Sequence, residues 1–179
     1  MFASQASRPG DTRWCLGIDP GLTRCGYALL AGAPGNAVET AALGVFTTPS
    51  DDDLADRLHS LHCDVNALLD EFAPVSVAIE RVFFQNNAST AMGTAQASAI
   101  VLLACRERGI PVVHYTPSQV KLAVAGSGSA DKSAIRTMVR KRLGLSRDPS
   151  PADAADAAAV ALCHLTSEPF VRAVSAVRS

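Results

Sequence analysis

Four acids, Asp19, Glu80, Asp153 and Asp156, are the residues of this 179-residue chain best placed to do chemistry together. Asp19 ends the apolar stretch "WCLGID" and Glu80 ends "VSVAIE", so each carboxylate closes a short strand-like run, where an unpaired charge is expensive to bury. If those strands are parallel neighbours, both acids emerge at the sheet edge where α/β folds place their ligands. Asp153 and Asp156 lie three apart in "SPADAADAAAVALCHL", which sets them on one helix face about 5–6 Å apart. Converging carboxylates repel, by about 1 kcal/mol per near pair in water and more when partly buried. A divalent cation reverses that sign. An all-oxygen donor set suits Mg²⁺ or Mn²⁺ rather than zinc, and paired carboxylates suit the two-metal clamp of phosphodiester cleavage.

Each acid also has a plainer reading. Asp19 can be a turn residue ahead of Pro20-Gly21, and Asp153 can cap a helix and complement its dipole. Glu80 is poorly placed to pair with Arg81, because consecutive strand residues point to opposite faces. Asp156 lies past the capping position, with no Lys or Arg three or four residues away.

Basic residues gather beside these acids. Lys121, Lys132, Arg136, Arg140, Lys141, Arg142 and Arg147 fall in a stretch whose single acid is Asp131. Lys132, Arg136 and Arg140 follow at four-residue steps, a stripe that is either a solvated face or a contact for a phosphate backbone. In a near-neutral chain, next to the Gly/Ser loop "AGSGSADK", the second reading is favoured. Phe83 and Phe84 follow Glu80 in "RVFFQNN". Either both belong to the core or one ring is exposed to stack on bases, worth about 1–3 kcal/mol per base.

Composition sets the frame. The chain is 48% hydrophobic and 18% charged with a formal net charge of -1, which suits a globular soluble domain without an overall basic field. No apolar run reaches the roughly 18 residues of a membrane span, and "MFASQASRPGDTR" lacks the apolar segment of a signal peptide. Five cysteines, scattered and never in a C-x-x-C pair, fit buried thiols in a reducing cytoplasm. His59, His62 and Cys63 form the nearest approach to a zinc motif, but they sit on an amphipathic helical stripe with no evident fourth ligand.

The elements that must position the acids are readable in outline. Strands are predicted over 14–19, 26–31, 39–48, 75–80 and 111–115. Leu54, Leu58, Leu61, Val65, Leu68 and Phe72 make a helical stripe that begins at Asp51–Asp53 and ends at Pro74. A long helix follows through "ASTAMGTAQASAIVLLACRERG", with Ala88, Ala91, Ala95 and Ser98 on one small-residue face. One more helix carries Ile135, Met138 and Val139, and a last one starts with Ser150 as N-cap, Pro151 at its first position and Asp153 at its third. This order gives an α/β fold with a mixed sheet.

With these residues assembled, the chain closely resembles the RuvC family of Holliday-junction resolvases, in the RNase H-like superfamily. The resemblance runs from about residue 14 to 165 and rests on "LGIDPG…GY", "AIERVFFQNN", "QVKLAVAGSGSADKS" and "PADAADAAAVALCH" in order. It implies an RNase H-like fold with a mixed five-stranded sheet flanked by helices, and a domain at 14–166 between an N-terminal extension (1–13) and a C-terminal tail (167–179). It implies a cytoplasmic homodimer, acting with the RuvA–RuvB branch-migration complex, that nicks two strands of a four-way DNA junction symmetrically and leaves 5′-phosphate and 3′-hydroxyl ends. It assigns two Mg²⁺ or Mn²⁺ ions to Asp19, Glu80, Asp153 and Asp156. It makes Phe83 the base-stacking residue and Lys121 and Lys132 the DNA-contacting lysines, to which the basic stripe adds Arg136 and Arg140. A related RNase H-like nuclease acting on RNA, an actin-like ATPase or sugar kinase, and an inert junction-binding module are the alternatives. The ATPase reading lacks a second phosphate loop and an adenosine motif.

Overall fold

The computed structural model describes residues 13–32, 37–81, 88–167 and 176. Five strands form one mixed sheet in the order β3-β2-β1-β4-β5. β1 (Cys15–Asp19), β2 (Arg24–Ala31) and β3 (Glu39–Thr47) make an antiparallel meander; β4 (Ser76–Glu80) runs parallel to β1, and β5 (Val112–Tyr115) parallel to β4. The five expected strands are all present, with ends shifted by one or two residues. An α/β/α sandwich follows from the alternation of side chains along the central strands. Leu16, Ile18, Val77 and Ile79 face α1 (Leu54–Phe72) and α2 (Ala88–Glu107), whereas Cys15, Ala78 and Tyr115 face α3 (Pro117–Ala125), α4 (Lys132–Arg142) and α5 (Ala152–Leu165).

The same parity decides where the strand acids go. Two steps beyond Gly17 and Ala78, on the α5 side of the sheet, come Asp19 and Glu80. The parallel register pairs Ile18 with Ile79, so the two acids are lateral neighbours at the strand ends.

α5 lies almost flat on the sheet, and its sequence explains why it can. Nine of its residues from Ala154 to Leu162 are Ala, Val, Leu or Asp156, and all but Asp156 are buried. Gly17 and Gly26 supply the other half of the fit. A Cβ on Gly17 would stand 2.4 Å from the Ala157 carbonyl oxygen, and one on Gly26 would stand 2.1 Å from the Asp153 carbonyl oxygen. The first glycine of "GIDPG" is thus a packing residue that brings helix backbone onto strand backbone. His164 fastens the far end of α5: its Nε2 lies 2.8 Å from Ser76 Oγ on β4, and its Nδ1 lies 2.8 Å from the Tyr115 hydroxyl on β5.

Two local expectations need correction. α5 begins one residue late, with Pro151 as its N-cap and no side-chain cap, so Ser150 does not cap it. Asp153 does not cap it either, because its carboxylate is held by an arginine described below. α3 was not expected from periodicity, since only Val120 and Val124 of its nine residues are buried. Its start is nonetheless written in the sequence as a capping box: Thr116 Oγ1 accepts from the Gln119 N–H, and Gln119 Oε1 accepts from the Thr116 N–H, with Pro117 at the first turn. All five cysteines are free thiols, and only Cys63 is exposed.

Candidate active site

Three elements deliver four carboxylates to one cavity. β1 contributes Asp19, β4 contributes Glu80, and the first two turns of α5 contribute Asp153 and Asp156. All four line a cavity of about 420 Å³ together with Lys121 of α3 and Lys132 of α4. These six residues, far apart in the sequence, thus line one cavity.

The acids divide into two pairs. Neither the Asp19 nor the Glu80 carboxylate has a hydrogen bond or ion pair among the described residues. Burial raises the Asp19 pKa to about 7, with Glu80, Asp156 and Asp153 adding repulsion and Lys132 opposing it. Glu80 is raised for the same first reason, burial, and then by Asp156; Lys132 and Lys121 pull it back. The helix acids, by contrast, have cations. Arg24 of β2 donates from Nε and Nη2, both at 2.8 Å, to one oxygen of Asp153. Lys132 Nζ stands 4.0 Å from Asp156, whose pKa burial nevertheless raises.

This is a negative pocket with too little positive charge. As placed, no three His, Cys, Asp or Glu side chains among the described residues converge tightly enough to hold one ion. Arg24 holds Asp153 and Lys132 stands beside Asp156. The donor chemistry nevertheless fits a hard divalent cation: four carboxylates, no sulfur or imidazole, and a cavity with room between them. Arg24 is 44% exposed, so its guanidinium can leave Asp153 for solvent without disturbing the core.

The basic stripe separates in the structure. Lys132 is exposed at the cavity mouth, but Arg136 and Arg140 are half-buried and do not line the cavity. Arg140 reaches Asp148 at 3.5 Å. Arg136 acts on Asp156 through its charge, and its Nε is buried without a hydrogen-bond partner. Phe83 and Phe84 lie outside the described residues. Arg24 is the residue that sequence reasoning missed. Its signal was the strand period: two residues before Gly26, which pairs with Asp19, Arg24 shares the face turned toward α5.

The chain is similar to known proteins in both sequence and fold. The profile of the family described as "Crossover junction endodeoxyribonuclease RuvC" matches residues 15–164. A crossover junction endodeoxyribonuclease RuvC from Parafrankia sp. (strain EAN1pec) is 50% identical over 167 residues, covering 92% of this chain and 94% of the relative. Among solved structures, T. thermophilus RuvC in complex with a Holliday junction substrate superposes with a TM-score of 0.82 at 35% identity, covering 91% of this chain and 96% of that one. The yeast mitochondrial Holliday junction resolvase shares the fold alone, with a TM-score of 0.62 at 14% identity over 93% of this chain and 84% of that one. Among the described residues, no helix is long and apolar enough to cross a membrane.

Proposed function

The chain belongs to the RuvC family of crossover junction endodeoxyribonucleases, which are divalent-metal-dependent nucleases, and from that premise we propose that Asp19, Glu80, Asp153 and Asp156 are its catalytic, metal-holding carboxylates. One observation carries the assignment: four acids from β1, β4 and α5 line a single cavity whose charge is left uncompensated. The four would hold two ions, Mg²⁺ or Mn²⁺, which when bound supply an activated water and neutralise the leaving 3′-oxygen. The protein's own part is preorganisation. The sheet fixes Asp19 and Glu80 side by side, and α5 brings its two acids over them. Lys121 and Lys132, at the wall and mouth of the cavity, are set to receive the phosphate oxygens of the bound strand.

The substrate is a four-way DNA junction, a reading supported by the relative solved with a Holliday junction. Two equivalent strands are cut by a homodimer whose two-fold axis matches that of the junction. Support for a dimer comes from α2, where Met92 is 59% and Leu103 52% exposed, with exposed Ala99 between them on the same helix face. Phe83 is assigned to base stacking, Arg136 and Arg140 to the flank of the DNA path, and the RuvA–RuvB complex is the branch-migration partner in the cytoplasm.

The test is a gel assay of the purified chain on four-way DNA, duplex DNA and single-stranded RNA, across a panel of divalent metals. Paired nicks confined to the four-way junction, present with Mg²⁺ or Mn²⁺ and absent with chelator, are expected. Asp153→Asn should reduce cutting by about a hundred- to a thousandfold, the scale of losing a group that stabilises transition-state charge, while junction binding persists. Cleavage of RNA, or undiminished cutting by Asp153→Asn, overturns the assignment.

A further inference from the structure

On the other side of the Arg24–Asp153 pair from the acid cavity lies a second, open cleft of about 810 Å³. The β1–β2 turn supplies Thr23 and Arg24 to its walls, α1 supplies Arg57, and α2 supplies Met92, Thr94 and Gln96. Among the described residues no carboxylate lines it. Asp51, Asp52, Asp53 and Asp56 are exposed around the same end of α1 but lie outside the lining.

Arg57 is the informative residue. Its Nε donates to Thr48 Oγ1 at 3.1 Å and its Nη2 to Thr23 Oγ1 at 2.8 Å. Thr48 Oγ1 in turn donates to the Leu22 carbonyl at 2.6 Å, which orients its lone pairs toward the guanidinium. Arg57 is therefore locked in place by neutral hydroxyls. Among the described residues no acid pairs with it, and Nη1 has no partner. A guanidinium immobilised without being neutralised has already met the ordering cost of binding an anion. Arg24 stands at the rim of the same cleft, tethered to the acid cavity through Asp153.

We propose that this cleft takes the sugar-phosphate backbone of the DNA strand beside the cut, with Arg57 and Arg24 each contacting a phosphate. The proposal rests on the nuclease reading above and gives its substrate a path across the surface. The cleft is open, meets the acid cavity through one shared ion pair, and has no aromatic residue among the described residues of its lining. Those features suit a passing polyanion rather than an enclosed small molecule.

Binding of a labelled four-way junction to the full chain, measured in chelator over a range of salt, tests the path. Arg57→Gln and Arg24→Gln should each weaken binding roughly tenfold, as expected for one lost charge-assisted contact, and each should lower the salt slope by about 0.9. Leu54→Glu, at an exposed residue of the same lining, sets a negative charge in the cleft and should also weaken binding, so the proposal stays testable if Arg57→Gln fails to fold. A folded double variant (Arg24→Gln with Arg57→Gln) or a Leu54→Glu variant that binds with wild-type affinity and slope overturns the cleft alone, provided the wild type cuts junctions. A wild type that neither binds nor cuts them overturns the nuclease reading and the cleft together.

Discussion

Asp19 carries the sharpest consequence at the scale of single residues. Its half-buried carboxylate stands beside Glu80 without a hydrogen bond or ion pair among the described residues, and burial is the first cause of its raised pKa. A residue kept for stability would not be left that way. Asp19→Asn, which keeps the shape and removes the charge, should therefore stabilise the protein in chelator by roughly 1–3 kcal/mol, or several degrees in melting temperature. The same substitution should abolish cleavage. The opposite signs separate a functional acid from a structural one, and thermal melts in chelator beside a nicking assay read both. A lower melting temperature for Asp19→Asn would show that the charge has a structural partner after all. Asp19 and Glu80 were legible in the sequence because an acid closing an apolar strand is costly without a reason. Arg24 was not, because an exposed arginine on a strand reads like any solvated residue until Asp153 is placed opposite it.

At the scale of elements, the site is the meeting of a sheet edge with one helix, and α5 is the helix that must not move. Its acids lie at one end and His164 pins the other, with Nε2–H donating to Ser76 Oγ, since Ser76 itself donates to the Pro111 carbonyl, and Nδ1 accepting from Tyr115. His164 is fully buried, and burial lowers its pKa to about 4, so it is neutral in the folded protein. The unfolded chain protonates it near pH 6.5 and thus binds more protons than the folded one between about 6.5 and 4. Stability should fall as pH drops through that window, by at most about 3 kcal/mol, and level off below it as far as this residue is concerned. Comparing denaturant midpoints of the wild type and His164→Gln at pH 7 and pH 4.5 isolates the effect. An equal loss in both proteins would place the pH sensitivity elsewhere. Strand order and α5 were readable because alternation and alanine-rich burial are strong local signals. The capping box of α3 was there to be seen, but a nine-residue helix burying two side chains leaves almost no periodicity. The second cleft has no sequence signature at all, since it exists only where a turn and two helices meet.

For the whole molecule, a net charge of -1 conceals segregation: an acidic cavity, lysines at its wall and mouth, and two arginines along the neighbouring cleft. Such a surface recognises a polyanion locally without a global basic field, and a single copy offers one cutting site. Two cuts placed symmetrically require two copies, which returns the question to α2. Met92, Gln96, Ala99 and Leu103 fall at spacings of four, three and four, a continuous face of which Met92, Ala99 and Leu103 are exposed. In water that face is better covered by its own copy across a two-fold axis than left open. Replacing Ala99 and Leu103 together by Glu sets like charges against each other across the axis without touching either cavity. Sedimentation velocity should then find a dimer for the wild type and a monomer for the double variant. On a four-way junction the wild type should release paired nicks within one binding event. The monomer, cutting one strand at a time, should accumulate singly nicked junctions. A double variant that remains dimeric would move the interface off this face of α2, and paired nicking by a monomer would detach the symmetry of cutting from dimerisation altogether.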